Sequence, residues 1–280
     1  MRARAVIIGA LVACVPQIPS VEGKACDAQH SCGTGFVCLA SGTCTANVDG
    51  GGADAGANGP IHRESQLGVA ADAGTVISAP LAPSTSTERQ LFLASIATKP
   101  PLAASDVSGL GLVWTRIKTQ CAARRTAGVE VWQATAVGPT TGGAVTASFG
   151  ASSVNAVLAV SRFDRVSAAP AVNSVEANAQ GQGAACTFSY PAADDPSGWS
   201  IPLPCSANTI AYGAVALRNA GPTLDGSFIQ QANGYAGQSG DIAGLSVQTR
   251  TVTTAGTVTV DGTFRNGDKT DWAGVAVEIR

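Results

Sequence analysis

The sequence predicts an all-β fold: a two-sheet β-sandwich of jelly-roll type, preceded by a small disulfide-bonded module and a flexible linker. Three observations support this prediction. Charged residues make up only 13% of the 280 residues while glycines number 33, a composition poor in the Lys and Glu that cover helices. Apolar and polar residues alternate along several short segments. No segment of 12 or more residues shows the i, i+3, i+4, i+7 apolar spacing of an amphipathic helix.

Residues 1–13 have the layout of a secretory signal peptide. Arg2 and Arg4 precede an apolar run, residues 5–13, that ends on small residues before Cys14. This run is much shorter than the roughly 20 residues that a membrane-spanning helix needs. An ordinary signal peptide, or a short anchor with an incidental cysteine, would give the same pattern.

The segment Leu11-Val12-Ala13-Cys14 resembles the lipobox of bacterial lipoproteins. The resemblance implies that Cys14 is acylated and begins a lipid-anchored segment, residues 14–25. The protein would then be extracytoplasmic and would contact the membrane through its lipid. In such lipoproteins an aspartate after the cysteine favours inner-membrane retention. Val15 stands there instead, which points to the outer membrane or the cell surface.

Four cysteines follow at intervals of six residues and define a small module, residues 26–44: Cys26, Cys32, Cys38 and Cys44. Chains below about 40 residues usually need cross-links to fold, and two disulfides would each contribute about 2–4 kcal/mol. The Cys-x-x-Cys spacing of zinc sites is missing. Four cysteines allow three connectivities. The pattern resembles small disulfide modules near the N-terminus of many bacterial surface lipoproteins, which implies an interleaved first-to-third, second-to-fourth pairing.

Residues 45–65 are predicted to form a flexible Gly/Ala-rich linker. Within them, residues 49–60 contain five glycines and no side chain larger than asparagine. Such a segment buries nothing and spans about 20 Å root-mean-square. The lipid, the module and the linker would together hold the remaining domain away from the membrane.

The charge balance argues against nucleic acid as a partner. Loss of Arg2 and Arg4 with the signal peptide leaves 15 basic and 19 acidic residues. No run of Lys or Arg exists to neutralise phosphates. Nucleic-acid binding is therefore not expected.

Residues 66–280 carry the strand signals of the predicted sandwich. Residues 144–149 alternate, with Val145, Ala147 and Phe149 on one face, and residues 273–279 repeat the pattern with Glu278 on the outward face. Three segments are apolar on both faces, as in central strands: residues 91–97, 153–160 and 210–217. Further strands are predicted at residues 74–79, 110–117, 129–134, 244–252 and 257–260, separated by turn signals such as Asp225-Gly226 and Asp261-Gly262.

The size of this domain, about 215 residues, suits a jelly roll better than a seven-stranded immunoglobulin domain. Its order of strands also resembles a recurrent secreted bacterial β-sandwich. That family has an early strand of "GW-x-L" type, compared here with Gly111-Leu112-Val113-Trp114, and a last strand of the form W-A-x-V, compared with Trp272-Ala273-Gly274-Val275. The resemblance implies a fold and leaves the function open.

No enzymatic activity is predicted. The two histidines, His30 and His62, fall in the module and in the linker, so the sandwich would lack the imidazole base of a Ser-His-Asp or Cys-His site. A glycosidase needs two carboxyl groups flanking the scissile bond. Glu130, Glu278 and Asp164 lie on or beside predicted strands, but each is expected in a turn or on a solvent-facing position.

Trp199 and Tyr235 are predicted to stand in polar, glycine-rich loops. An exposed ring beside Asp194, Asp195 and Asn233 would stack on a sugar while the polar groups bind its hydroxyls. The other interpretation is that each ring only packs its loop onto the sandwich. The sequence therefore predicts a binding domain for polysaccharide or for cell-surface recognition. The alternative function is that of a structural or adhesive protein acting through protein contacts.

No cofactor and no metal site of recognised ligand spacing is predicted. Loop oxygens are nevertheless candidates for a structural calcium ion, although Asp in turns ordinarily serves the turn itself. The candidates are Asp194, Asp195, Asp225, Asp241 and the segment Asn266-Gly267-Asp268.

The remaining cysteines allow two arrangements. Cys186 and Cys205 bracket the stretch that carries Trp199, and a disulfide between them would brace it and leave Cys121 free. Pairing of Cys121 with either one is the rival arrangement. With Cys14 acylated, seven of the eight cysteines remain, so one would have no intramolecular partner.

Overall fold

The computed structural model describes residues 36–38, 44–46, 59–122, 126–150, 154–168, 170–179, 198–218, 222–224, 226–238, 240–264 and 270–280. The chain divides into two compact units, Met1–Gly50 and Gly51–Arg280. Every regular secondary-structure element in the described residues is a β-strand, which confirms the predicted all-β class. Over those same ranges, no helix has the length and apolar character needed to cross a membrane.

In the first unit, the described residues form one antiparallel hairpin of β1 (Phe36–Cys38) and β2 (Cys44–Ala46). Cys38 and Cys44 are opposite each other in the register of this hairpin. Cys14, Cys26 and Cys32 lie outside the described residues. The disulfide pairing of the module therefore stays a prediction.

The second unit contains sixteen described strands in two groups of eight. The first half comprises β3 (Ile61–Ala73), β4 (Thr75–Ile77), β5 (Arg89–Lys99), β6 (Ala104–Gly109), β7 (Thr115–Cys121), β8 (Gly128–Val137), β9 (Val145–Phe149) and β10 (Val154–Asp164). The second half comprises β11 (Val172–Ala179), β12 (Trp199–Cys205), β13 (Thr209–Arg218), β14 (Pro222–Leu224), β15 (Ile229–Ala236), β16 (Ala243–Val252), β17 (Gly256–Phe264) and β18 (Trp272–Ile279).

The two halves have the same connectivity. In the first half, one sheet has the order β3-β10-β5-β8-β7 and the other β4-β9-β6. In the second half, the corresponding orders are β11-β18-β13-β16-β15 and β12-β17-β14. Each strand of the first half thus has a counterpart eight strands later. The domain is a structural duplication of one eight-stranded unit, which the sequence analysis did not predict.

Three apolar cores separate four layers of sheet. Within the first half, Phe92 and Leu158 pack between the five-stranded and the three-stranded sheet. Within the second half, Ile201 and Val215 pack in the equivalent place. The third core lies between the two five-stranded sheets. These sheets are covered on both faces, which explains why their central strands are apolar throughout and confirms the strands predicted at residues 91–97, 153–160 and 210–217.

The halves pack face to face with approximate two-fold symmetry. Strand β3 contacts β15, and the equivalent β11 contacts β7. Likewise β10 contacts β16 and β18 contacts β8, while β5 lies against its own counterpart β13. This reciprocal pattern is that of an isologous dimer interface. Here both partners belong to one chain.

Two predicted boundaries, and the predicted loop positions of two aromatic residues, differ from the structure. Strand β3 begins at Ile61, so the end of the predicted linker belongs to the sandwich. The strand predicted at residues 110–117 begins only at Thr115, because Leu110 and Gly111 adopt left-handed backbone conformations with φ of 58° and 67° and turn the chain. Trp199 and Tyr235, predicted in loops, lie in strands β12 and β15.

Candidate functional site

A cavity of about 600 Å³ lies in the second half, within the size range of ligand-binding pockets. Strands β11, β12, β14 and β17 and the start of β18 supply its walls. The lining residues are Asn178, Gly198, Trp199, Ser200, Thr223, Leu224, Asp261, Gly262, Thr263 and Trp272. Of the predicted ligand-binding residues that the structure describes, Trp199 lines this cavity, and Asn233 and Tyr235 do not.

One row of residues across the three-stranded sheet shapes the cavity wall. Trp199 and Leu224 are both register partners of Gly262, which lies between them on β17. A Cβ atom on Gly262 would stand 2.2 Å from Cζ2 of Trp199, so the glycine leaves the space that the indole ring fills. The ring also packs against Phe264, with ring centroids 5.8 Å apart.

The indole of Trp199 is therefore a wall of the cavity and is not an exposed platform. Its side chain is only 2% exposed, which contradicts the prediction of a ring standing free in a loop. The alternating burial along β12 explains the error, because Trp199, Ile201, Leu203 and Cys205 all face the core. The Nε1 atom of Trp199 is buried and has no hydrogen-bond partner among the described residues, so packing holds the ring.

The first half has a different row at the corresponding place. There Val76 and Val107 are the register partners of Ala147, and all three side chains are buried in the core. The Trp–Gly–Leu row of the second half thus replaces a Val–Ala–Val row. Because connectivity is otherwise the same, this substitution of side chains is what makes the second half distinctive.

The rim of the cavity is polar and carries no cationic side chain among its described residues. Asn178 donates from Nδ2 to the backbone oxygen of Ser200 at 2.9 Å, which fixes β11 against β12. Thr223 and Thr263 are register partners and both exposed. Asp261 adds a carboxylate. Hydroxyl, amide and carboxylate groups on the rim suit a ligand that has many hydroxyl groups.

Tyr235 and Asn233 do not line this cavity. Tyr235 is 41% exposed and lies over Gly244 on the neighbouring strand β16. Both residues belong to β15, an edge strand of a five-stranded sheet, whereas Trp199 belongs to the three-stranded sheet. The structure therefore does not bring the two predicted aromatic residues together. Asp194 and Asp195 lie outside the described residues.

The three carboxylates considered for catalysis are buried, against the prediction that they face solvent. Glu278 is 0% exposed and accepts hydrogen bonds from the backbone N–H of Ser206 at 2.6 Å and from Nδ2 of Asn173 at 2.6 Å. Burial alone would raise the pKa of Glu278, but these hydrogen bonds and nearby Arg280 lower it overall. Asp164 is bound by the Arg63 side chain at 2.9 Å.

Glu130 is held by a different set of contacts. It accepts hydrogen bonds from Nε1 of Trp132 at 2.8 Å and from the backbone N–H of Ala104 at 3.3 Å. Desolvation raises the pKa of Glu130, and these hydrogen bonds together with Arg116 counteract the shift only in part.

These acids do not form a pair. Glu130 and Glu278 belong to different halves, and the core between the five-stranded sheets separates them, since Val129, Val131 and Val277 point into that core. Asp164 shares a sheet with Glu130 but lies six register positions farther along, about 20 Å away. Glycosidases need carboxyl groups about 5 to 9.5 Å apart.

The sandwich does contain a histidine, so the premise that excluded imidazole chemistry from it was wrong. His62 lies on β3, and its Nε2 is 3.0 Å from Oγ of Ser65. Ser65 continues the chain of hydrogen bonds to Ser161 at 2.8 Å, and Ser161 to Tyr212 in the interface between the halves. His62 and Ser65 do not line the cavity beside Trp199. This series of hydrogen bonds connects β3 of the first half to β13 of the second half.

The predicted disulfide between Cys186 and Cys205 is contradicted. Cys205 is a free, buried thiol, and burial raises its pKa to about 11. Cys121, predicted to be free in that arrangement, is disulfide-bonded. Its partner lies outside the residues whose side chains are described, as does Cys186.

Most of the calcium candidates also lie outside the described residues. Asp241 is described, and its carboxylate lies 3.4 Å from Nζ of Lys99 and accepts a hydrogen bond from Asn155. In the ranges that the structure covers, no group of three or more His, Cys, Asp or Glu side chains is placed to hold a metal ion.

Sequence reasoning missed Asn178, Thr223, Gly262 and Thr263. The pair Asp261-Gly262 carries a signal, but its composition predicts a turn. In the structure both residues lie within β17, where the glycine accommodates Trp199.

The fold defines the class of protein as all-β, with stacked antiparallel sheets. Comparison of the chain with protein-family models, with curated proteins and with solved structures finds no match. The cavity and its side chains are therefore the basis for any functional inference.

Proposed function

We propose that this is a lipid-anchored extracytoplasmic protein whose β-domain binds polysaccharide at the cavity beside Trp199. The observation that carries the proposal is the composition of that cavity, with indole walls beside hydroxyl, amide and carboxylate groups. Sugars carry many hydroxyl groups, which the polar rim can bind, whereas Trp199 and Trp272 are 2% and 4% exposed and shape the cavity from behind this rim.

The proposed presentation of this domain rests on the N-terminal sequence. The lipobox-like Leu11-Val12-Ala13-Cys14 supports acylation of Cys14, and the cysteine-rich module and glycine-rich linker would connect the lipid to the sandwich. An outer-membrane or cell-surface location follows from the same resemblance. The domain would then face material outside the cell.

Each half of the domain is proposed to be of jelly-roll type. In the first half, the neighbouring strands include the nested pairs β3 with β10, β4 with β9 and β5 with β8. The second half repeats these pairs with β11 and β18, β12 and β17, and β13 and β16. Nested antiparallel pairing of eight strands in two sheets supports this assignment.

The binding proposal is tested with the full-length protein on a panel of polysaccharides. The double variant Thr223→Ala, Thr263→Ala removes two hydroxyls from the cavity rim, and binding is expected to weaken about tenfold, as for the loss of two modest hydrogen bonds. The matched control is Ser108→Ala, Thr146→Ala, which removes a register pair from the corresponding sheet of the first half. Absence of binding to every polysaccharide, or equal loss in both variants, would contradict the proposal.

The lipid anchor is tested separately by membrane fractionation. The variant Cys14→Ser is expected to move from the membrane fraction to the soluble fraction, because its acylation site is gone. A Cys205→Ser variant, which removes a free thiol and breaks no disulfide, controls for the general loss of a cysteine. Retention of Cys14→Ser in the membrane would refute the anchor.

A second function, through protein contacts, is favoured by the edge formed by β3 and β15. These two edge strands contact each other, and Val69 and Tyr235 on them are 58% and 41% exposed. Strand β15 contains no charged residue, so its edge lacks the usual protection against pairing with another strand. The test is sedimentation of the purified protein with Val69→Lys, Tyr235→Lys. Self-association lost in this variant and kept in Thr223→Ala, Thr263→Ala would favour this function.

A further inference from the structure

A second cavity, of about 250 Å³, lies where the interface between the two halves ends. The first half lines it with β7, β8 and the start of β5, and the second half with residues 168–172, which lead into β11. These wall segments are described except for Ala169, whose methyl side chain is neither polar nor charged. The volume lies below the range of drug-sized pockets and suits a small molecule.

The polar side chains of this cavity belong to one face of the five-stranded sheet of the first half. Leu91 of β5 and Val131 of β8 point into the core between the two five-stranded sheets. Because side chains alternate along a strand, Arg89, Gln133 and Thr135 lie on that same face, beyond the edge of the core. Thr135 is the register partner of Leu91, so it is a diagonal neighbour of Arg89. A guanidinium group therefore shares the cavity with an amide and a hydroxyl group.

Arg89 is half-buried, and its side chain has neither an ion pair nor a hydrogen bond with the residues that the structure describes. The adjacent carboxylate of Glu88 lies 3.3 Å from Arg165 instead. A partly desolvated cation without a counter-charge is unfavourable, and an anionic ligand would compensate this cost. The other described arginines each have an ionic or hydrogen-bonding partner: Arg63, Arg116, Arg162, Arg165, Arg218, Arg250 and Arg280.

The fold does not require a cation at this position. Arg89 and Lys99 are the first and last residues of β5. The counterpart strand β13 ends at Arg218, and the residue at the same distance before that end is Asn208. The second half thus forms the same sheet with a neutral residue in the place of Arg89.

The charge and shape of the lining favour a carboxylate among the anions. Arg89 is the only charged side chain in the described lining, so a single negative charge balances it, whereas a phosphate ion would bring about two. The planar guanidinium group also matches a carboxylate, which it can bind through two parallel hydrogen bonds. Val113, which is 86% exposed, and Pro170 add apolar surface to the walls.

We infer that this cavity binds a small organic carboxylate, with the carboxylate group on Arg89 and the apolar part of the ligand against Val113 and Pro170. Gln133 and Thr135 supply further hydrogen bonds. This site is separate from the cavity beside Trp199, and the inference does not depend on the proposed binding of polysaccharide.

The test is isothermal titration calorimetry of the full-length protein, at constant ionic strength, with propionate, benzoate, sulfate and phosphate, and with propionamide as the neutral analogue of propionate. Both carboxylates are expected to bind more tightly than the other three probes. Arg89→Gln should bind them about tenfold more weakly, as for the loss of a hydrogen bond to a charged group. The control Arg250→Gln removes an exposed arginine outside the cavity and gives the same net charge, so it should bind as the unmodified protein does.

A second pair of variants tests the site while leaving Arg89 in place. Thr135→Glu puts a carboxylate diagonally opposite Arg89 at an exposed position, where it would compete with the ligand and repel it. Thr135→Gln is the neutral variant of matched size. Benzoate is expected to bind Thr135→Glu about tenfold more weakly than Thr135→Gln.

Several results would overturn the inference. These are binding of neither carboxylate, equal affinity for propionate and propionamide, and tighter binding of sulfate or phosphate than of the carboxylates. Unchanged affinity in Arg89→Gln, or equal affinity in Thr135→Glu and Thr135→Gln, would show that the carboxylate binds elsewhere on the protein.

Discussion

Asn155 in the first half and Asp271 in the second half occupy equivalent positions, and each binds a turn of the opposite half. Asn155 donates from Nδ2 to the backbone oxygen of Asp241, between β15 and β16, at 2.8 Å. Asp271 accepts a hydrogen bond from the hydroxyl of Thr126, which lies between β7 and β8. The approximate two-fold symmetry of the domain therefore extends from strand order to individual polar contacts, even though the residues differ.

Removal of the Asn155 side chain should destabilise the domain. Asn155 is buried. In addition to donating to Asp241, it accepts a hydrogen bond at Oδ1 from the backbone N–H of Asp72 at 3.1 Å. Asn155→Ala leaves these groups without their partner, so a loss of about 1–3 kcal/mol in the free energy of unfolding is expected. Urea denaturation measures it, with the exposed substitution Thr253→Ala as the control. Equal stability of both variants would show that the contact is dispensable.

Much of the strand content could be predicted because alternation and apolar runs survive in the sequence. The duplication could not be predicted, since the two halves share a pattern of strands but hardly any residue identity. The central strands β5 and β13 illustrate this. Leu91 and Leu93 of one, and Ile210 and Tyr212 of the other, point into the shared core. Because both strands are also buried on their second face, neither shows a period that would identify the partner sheet.

The candidate site can be predicted only in part, because the residues next to Trp199 in the sequence have the composition of a loop. Gly198 and the prolines of β12 mimic the composition of a loop, although proline is tolerated in an edge strand. Trp199 was therefore expected in solvent. Its burial depends on Gly262, which is distant in sequence and becomes its neighbour only through the pairing of β12 with β17. No local pattern contains that information.

Gly262→Ala is expected to destabilise the second half and to close the cavity. The new Cβ would stand 2.2 Å from the Trp199 ring, which is buried and cannot move away freely. Overpacking of this kind costs about 1–3 kcal/mol. Thermal or urea unfolding measures the loss. Gly150→Ala is the control, because a Cβ at Gly150 meets no atom within 4 Å.

The same clash predicts a compensating substitution. Trp199→Val alone leaves a void beside Gly262, whereas Trp199→Val with Gly262→Ala reproduces two positions of the Val76–Ala147–Val107 row that the first half packs stably. The double variant should be more stable than the sum of the two single changes by about 1 kcal/mol or more, as expected for residues in direct contact. Strict additivity would mean that the two positions do not interact as described.

Cys205 should be chemically silent in the folded protein. Its thiol is buried, and desolvation and the carboxylate of Glu278 raise its pKa to about 11, so little thiolate exists near neutral pH. Iodoacetamide is expected to modify Cys205 only after unfolding. Peptide mapping without reduction should find Cys121 in a cross-linked peptide and Cys205 in a linear one. A cross-linked peptide containing Cys205 would restore the arrangement that the structure contradicts.

Stability should fall in mild acid because of His62. Burial lowers the pKa of this imidazole from 6.5 to about 4, against a smaller opposite effect of a backbone hydrogen bond with Glu64. The folded protein thus binds the proton less readily than the unfolded chain. The contribution of neutral His62 is complete above pH 6.5, is lost as the pH falls through this window to about 4, and amounts to at most about 3 kcal/mol.

The pH effect is measured as the difference between two unfolding curves. The free energy of unfolding of the unmodified protein and of His62→Gln is determined by urea denaturation at several pH values between 4 and 7. Glutamine keeps a donor that can reach Ser65 and does not titrate. The stability of His62→Gln relative to the unmodified protein should rise as the pH is lowered, because only the histidine gains a proton on unfolding. A difference that stays constant with pH would show that His62 titrates alike in both states.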